Sequence, residues 1–187
     1  MRLLLIGPPG AGKGTQAAVL SAELGIPHIS TGEIFRANVA AGTELGQQAK
    51  RYMEAGEYVP DEITNAMVAS RLGEDDAQNG FLLDGYPRTL QQVAELDGIL
   101  ADGGHELDAV LEITADREQL VERLLKRAEV EGRADDTEEV IRRRMEVYDA
   151  ETAPLVRVYT ERGVLREVDG LGSVEDVSER LLASLRD

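Results

Sequence analysis

Cysteine is missing from all 187 residues, and the absence removes three kinds of chemistry at once. No disulfide framework can staple the fold, no thiolate site can hold zinc, and no thiol can serve as a nucleophile. Any redox role would need a borrowed cofactor. Long apolar runs are missing as well. The chain passes from Arg2 into a short apolar strand, too short for a signal-peptide core, and nothing later approaches the length of a membrane span. The cytoplasm is therefore the expected address. Positive charge is scarce: Asp and Glu number 36 against 20 Lys and Arg, a net charge of −16, which argues against sequence-independent binding to nucleic acid or to an anionic membrane. Lysine is scarcest, at Lys13, Lys50 and Lys126 alone. The rest is arginine, whose planar fork grips phosphate in two places. An anionic ligand would have to be drawn by a local cluster of these. The acidic bias fits genome composition or adaptation to high salt equally well. Internal repeats and low-complexity tracts are also absent, and the length suits one full core with mobile inserts rather than two domains.

What is present begins with Leu3-Leu4-Leu5-Ile6 followed by Gly7-Pro8-Pro9-Gly10-Ala11-Gly12-Lys13-Gly14-Thr15. A buried-type strand feeds a glycine-rich loop that opens a helix. Gly7, Gly10 and Gly12 let successive backbone N–H groups face one concavity, the helix N-terminus lies behind it, and Lys13 adds a full positive charge. This is a phosphate-binding P-loop, G-x-x-x-x-G-K. It departs from the usual pattern in one respect: the hydroxyl expected directly after Lys13 arrives one place later, at Thr15.

Capping and breaking residues divide the remainder. Lys13 to Leu24 is helical and stops at Gly25-Ile26-Pro27. His28-Ile29-Ser30 forms a short strand, in which His28 reads as packing. Helices over 34–41, 45–55 and 61–72 follow without an intervening strand, so the block 31–72 is a helical insertion into an α/β pattern. Phe81–Asp84 is a strand and Gly85–Thr89 a turn. Helices are expected over 90–100 and 117–127, strands over 109–113 and 164–168, and a polar, turn-like connection over 129–136. From Thr137 a long helix should run towards Glu161 with a kink at Pro154. Ser173 caps a closing helix. Five strands alternating with helices make a parallel, doubly wound α/β sheet of the P-loop NTPase type, with ligands at the carboxyl ends of its strands.

Asp84 ends its strand on the same edge as Thr15, where a carboxylate of a P-loop enzyme holds Mg²⁺ directly or through water; an N-cap or turn aspartate is the lesser alternative. Arg88 emerges from the rigid turn beside it. Arg123 and Arg127, four apart, share one column beside an apolar stripe. Arg144 lies about 60° from Ile141 on the inward face of its helix, whereas Arg142 and Arg143 point to a solvated face. Spacing alone leaves Arg133 undecided. One lysine, convergent arginines and one metal-holding carboxylate, with no covalent nucleophile beside a base, are the inventory of phosphoryl transfer.

The motifs GPPGAGKGT (7–15), STGEIFR (30–36), GEYVPD (56–61), DGYPRTLQQ (84–92), GRADD (132–136) and ETAPL (151–155) together resemble the adenylate kinase family along the whole chain and in the family's order. The resemblance accounts for Gly14, since the family's loop has Gly before Thr. It implies reversible transfer between Mg-ATP and AMP, giving two ADP, by a monomer with a helical monophosphate-binding flap at 30–72 and a short lid at 127–136. By motif, Gly10, Ala11, Gly12, Lys13, Gly14 and Thr15 would bind the ATP phosphates. Arg127 would hold ATP at the lid hinge, and Arg123 and Gly172 would lie near it. Thr31, Arg36, Glu57, Tyr58, Val59, Gly85, Tyr86, Pro87, Arg88 and Gln92 match the AMP site. Arg133 and Arg144 match arginines around the transferring phosphates, and Asp84 and Thr15 match the Mg²⁺ position, through water.

The intervening Ala128-Glu129-Val130-Glu131-Gly132 is too short for the long lid that carries zinc in some members, so the resemblance implies the short-lid form without zinc. Glu129 and Glu131 are expected to face solvent. Two alternatives stay open: a UMP or CMP kinase, which shares the P-loop and the DG-aromatic-PR turn, and a non-catalytic nucleotide switch. The guanine-reading N-K-x-D tetrapeptide is absent, and so full an arginine complement favours catalysis over switching.

Overall fold

The computed structural model describes residues 1–131 and 137–186, without the side chains of Glu129 and Glu131. Arg133 and the orientation expected for those two glutamates therefore lie outside what is described. In chain order the elements are β1 (Arg2–Ile6), α1 (Lys13–Leu24), β2 (His28–Ser30), α2 (Thr31–Ala41), α3 (Glu44–Ala55), α4 (Asp61–Leu72), β3 (Phe81–Asp84), α5 (Leu90–Asp102), β4 (Ala109–Thr114), α6 (Arg117–Glu131), α7 (Glu138–Val147), α8 (Pro154–Glu161), β5 (Leu165–Asp169) and α9 (Val174–Ser184). The strands lie side by side in the order β2-β3-β1-β4-β5, and every pairing is parallel.

The period-two rule explains how the sheet is covered on both faces. Along β1, Leu3 and Leu5 join a core with Leu20 of α1, Leu124 of α6, Met145 of α7 and Leu181 of α9. Leu4 and Ile6 point the other way, to Val68 of α4, Leu96 of α5 and Leu155 of α8. An all-apolar strand is what a parallel sheet with helices on both faces requires. Between β2 and β3 the chain makes α2, α3 and α4, which share a small core of their own around Phe35, Ala49 and Val59.

Side-chain caps set several helix starts: Ser30 for α2, Thr89 for α5, Thr137 for α7, and a reciprocal Ser173/Asp176 capping box for α9. Two boundaries differ from expectation. Helix α6 runs on to Glu131, because Ala128–Glu131 consists mostly of good helix formers and continues the turn that began at Arg117. The long helix from Thr137 is divided: α7 ends at Val147, Tyr148–Thr152 form a wider π turn, and α8 begins with Pro154 in its first turn. Pro154 has no N–H to give, and Ala153 N–H reaches back five residues to the Tyr148 carbonyl at 2.9 Å.

Tyr159 is fully buried in the second core, and its hydroxyl has no hydrogen-bond partner among the described residues. A buried unsatisfied hydroxyl costs about 1–3 kcal/mol. Tyr159→Phe keeps the ring and removes that cost, so it is expected to stabilise the fold by about 1 kcal/mol and to raise the calorimetric midpoint by about 3 °C.

Candidate active site

The carboxyl ends of β1 and β3 open into a cavity of about 750 Å³. At one end is the P-loop. Gly10 has φ +85°, and a Cβ there would stand 2.9 Å from both the Leu120 carbonyl and Leu124 Cγ. Only glycine fits so tight a turn against α6. Lys13 folds back along the loop, donating from Nζ to the carbonyls of Gly7 at 2.7 Å and Pro8 at 3.0 Å. Burial draws its pKa down from 10.5 to about 8; the charges of Arg88 and Arg127 act in the same direction, and Asp84 opposes them.

Asp84 closes β3 and is 8 % exposed. Burial alone would raise its pKa, but the neighbouring His28, Lys13 and Arg88 outweigh that effect and hold the carboxyl below its usual range. Its Oδ2 lies 3.9 Å from the place a Cβ would take at Gly14, which brings it to the first turn of α1 and the cavity wall that Thr15 shares. His28 stands closer to the chemistry than a packing residue: its Nε2 is 3.5 Å from Asp84 Oδ2, outside hydrogen-bond geometry, and has no hydrogen-bond partner among the described residues. A histidine in a three-residue strand gives no such signal in the sequence. The β2–β3 register sets His28 opposite Leu82 and Ser30 opposite Asp84, so His28 meets Asp84 diagonally, two residues along the same face of the pair.

The turn after β3 is tied from several sides. Gly85 has φ +81°, and a Cβ there would meet Arg88 Nη2 at 2.8 Å and Thr31 Oγ1 at 2.9 Å; glycine is what allows those two side chains to approach. Thr31 Oγ1 donates to the Gly85 carbonyl at 2.9 Å, as does Arg88 Nε at 2.7 Å. Gln92 Oε1 accepts from Arg88 N–H at 2.7 Å, and its Nε2 donates to Asp61 Oδ1 at 2.7 Å. Thr89 Oγ1 donates to the other Asp61 oxygen at 3.0 Å. Asp61 thus pins the start of α4 to this turn.

Arg36, Arg88, Arg123, Arg127 and Arg144 all line the same cavity, although they come from α2, the β3–α5 turn, α6 and α7. So do Lys13, Thr31, Glu57–Val59, Gly85, Pro87 and Gln92, and so does Lys126, which has no role in the sequence reading. Arg142 pairs with Glu138 on the solvent face, as the helical wheel predicts. Arg143 is half-exposed but does more than face solvent: its Nε reaches Glu57 at 2.6 Å and so links α7 to the loop before α4.

Three residues matched by motif are not at the cavity wall. Ala11 is buried against α1 and α6. The Tyr86 side chain is in the core below the turn, its hydroxyl donating to Asn65 Oδ1 at 2.8 Å with the Gln92 carbonyl 3.3 Å away. Gly172 has φ +118°, and a Cβ there would press on Asp176 of the α9 capping box at 3.0 Å, which accounts for a glycine by local packing.

A strand-loop-helix phosphate cradle beside a strand-end carboxylate, with arginines converging from both sides of a parallel sheet, defines a P-loop nucleotide phosphotransferase. The family model described as adenylate kinase matches residues 5–164. Proteins named adenylate kinase from Nocardioides sp. and Kocuria rhizophila are each 60 % identical to this chain, over 99 % and 98 % of it and 97 % and 98 % of their own lengths. The adenylate kinase of Thermobifida fusca is 56 % identical over the full chain and 98 % of its own length. The chain belongs to the adenylate kinase family.

Proposed function

We propose that this protein catalyses the reversible transfer of a phosphoryl group from Mg-ATP to AMP, giving two ADP, and so balances the adenine nucleotide pool of the cytoplasm as a monomer. The observation that carries the reading is the continuity of the cavity: Lys13 and the P-loop stand at one end, Thr31 and Gln92 at the other, and Arg88 and Arg144 line it with them. A donor phosphate at the P-loop would face an acceptor phosphate across a gap lined by cations.

In this reading Gly10 to Thr15 cradle the donor phosphates, with Lys13 neutralising their charge. Arg127 and Arg123 hold the donor from α6, Arg36 holds the acceptor phosphate, and Arg88 reaches both the acceptor phosphate and the migrating group. Arg144, together with Arg133, neutralises the migrating group. Asp84 and Thr15 suit a magnesium ion: an ionised carboxylate and a hydroxyl offer oxygen only, and magnesium keeps the rest of its shell for phosphate oxygens and water. The ion would arrive with ATP and spread the charge of the phosphates. The 30–72 insertion serves as the monophosphate flap and 127–136 as a short lid, and their closure keeps water from taking the phosphoryl group in place of AMP.

The base-reading end follows from hydrogen-bond arithmetic. Thr31 spends its proton on the Gly85 carbonyl, so it can only accept from a ligand, while Gln92 keeps one N–H and one lone pair after its bonds to Asp61 and Arg88. An acceptor beside an amide suits the amino group and ring nitrogen of adenine. Guanine and uracil place a carbonyl there, leaving Thr31 unpaired against an acceptor. With Mg-ATP and AMP, CMP, UMP or GMP at equal concentration, AMP is expected to turn over at least about 100-fold faster than the others. UMP and GMP should be rejected more strongly than CMP, which carries an amino group. Faster turnover of any pyrimidine monophosphate than of AMP would overturn the assignment.

A further inference from the structure

The motif at 151–155 has no chemistry of its own in the reading above, yet Thr152 is 4 % exposed and reaches the cavity wall. It belongs to the π turn between α7 and α8, the kind of widened turn that recurs at functional sites. Its Oγ1 donates to the Arg88 carbonyl at 2.8 Å. A threonine hydroxyl has one proton, so the Tyr58 hydroxyl, 2.7 Å from the same oxygen, must be the donor in that contact. Tyr58 can serve: burial pushes its pKa up against the smaller opposing charge of Arg88, so the hydroxyl keeps the proton it donates. The Tyr58 ring meanwhile lies beneath the Arg88 guanidinium, its centroid 5.0 Å from Cζ. Tyr58 therefore bears on Arg88 at both ends, on the side chain directly and on the backbone through Thr152.

These three residues come from three separate segments: the loop between α3 and α4, the turn after β3, and the π turn. We infer that Tyr58 and Thr152 are positioning residues for Arg88, forming a latch that joins the flap loop to the arm beyond α7 and holds the guanidinium aimed at the acceptor phosphate. The inference rests on the assignment of Arg88 to the phosphates. It goes beyond the match of Tyr58 to the AMP site, because it assigns separate roles to the ring and the hydroxyl. Arg143 to Glu57 adds a second link between the same loop and α7, so the loop is held at Glu57 as well as at Tyr58.

The test is a mutant cycle read in kcat, in KM for AMP and in melting temperature. Tyr58→Phe keeps the ring and loses the donor, Tyr58→Leu loses both, Thr152→Val breaks the relay, and Thr152→Ser restores it. Misplacement of a positioned group by about 1 Å can cost about 100-fold, so a loss of about fivefold in kcat is expected for Tyr58→Phe and for Thr152→Val, with KM for AMP nearly unchanged. Because the two share one bond, their double variant should be no worse than either alone. Tyr58→Leu should lose about thirtyfold, and Thr152→Ser should be close to wild type. In an Arg88→Ala background none of these changes should lower kcat further, an outcome that a merely structural role would not produce. Wild-type kcat in Tyr58→Phe and Tyr58→Leu would overturn the latch, as would losses undiminished in the Arg88→Ala background. Wild-type kcat in Arg88→Ala by itself would overturn the site assignment, and the latch with it.

Discussion

Arg88→Ala is expected to lower turnover about a thousandfold while costing only about 3 °C in melting temperature. The separation follows from what the side chain does in the folded protein. Its guanidinium makes one hydrogen bond to the Gly85 carbonyl and rests on the Tyr58 ring, contacts worth about 1 kcal/mol together in a half-exposed setting. The ties that shape the turn use the Arg88 backbone instead: its N–H to Gln92 and its carbonyl to Thr152. Truncation leaves those in place. What it removes is a cation preplaced at the cavity, and removing one such donor from a phosphoryl-transfer site costs orders of magnitude in rate because nothing else can move in to neutralise the migrating group. Steady-state kinetics and a thermal melt on the same preparation check both halves, and near wild-type turnover would remove Arg88 from its assigned role.

Lys13 carries the second large effect, and pH exposes it. With the pKa of the free enzyme drawn down to about 8, the lysine is charged below that pH and loses its proton above it. Only the charged form attracts the donor phosphates, so kcat/KM for ATP should be level up to about pH 8 and then fall about tenfold per pH unit. A bound polyphosphate favours the charged form. At saturating ATP, kcat should therefore hold to higher pH, and ATP binding near pH 8.5 should take up a proton, measurable by calorimetry in buffers of different ionisation enthalpy. The stability of the free protein runs the other way. The unfolded chain, at 10.5, binds more protons than the folded one between about 8 and 10.5, so this group's unfavourable contribution is full below pH 8 and is relieved as pH rises through that interval. Lys13→Met should lower kcat/KM for ATP by about 10²–10³ and flatten its alkaline limb. A wild-type profile still level at pH 10 would contradict the shifted lysine.

How much of the site was legible in the sequence depended on distance along the chain. The P-loop reads directly because its requirements are local: glycines at positions of positive φ, a helix start, a lysine at fixed spacing. Arg144 was separable from Arg142 and Arg143 by helical angle alone, and the structure keeps Arg144 at the cavity and Arg142 on the solvent side. Arg143 was half legible, since its exposure follows from the wheel whereas its bond to Glu57 depends on how α7 packs against the loop before α4. The extension of α6 to Glu131 escaped the reading because polar residues after Arg127 resemble a turn in composition, while their helix propensity decides the outcome once the helix is already running.

The sequence by itself determined the fold class and the family. Apolar strands alternating with capped helices admit a parallel, doubly wound sheet and little else, and the spacing within the motifs requires a phosphate site at its edge. Tertiary structure decided which side chains act on one another across that edge. Nothing in the spacing of Tyr58, Arg88 and Thr152 places a ring under a guanidinium or a hydroxyl relay behind it, and nothing around His28 sets it against Asp84. Those contacts join segments tens of residues apart, and their geometry arises only when sheet order, the π turn before Pro154 and the packing of α3 and α4 are all in place. Short-range patterns encode local backbone preference. The meeting of distant side chains is a property of the packed whole.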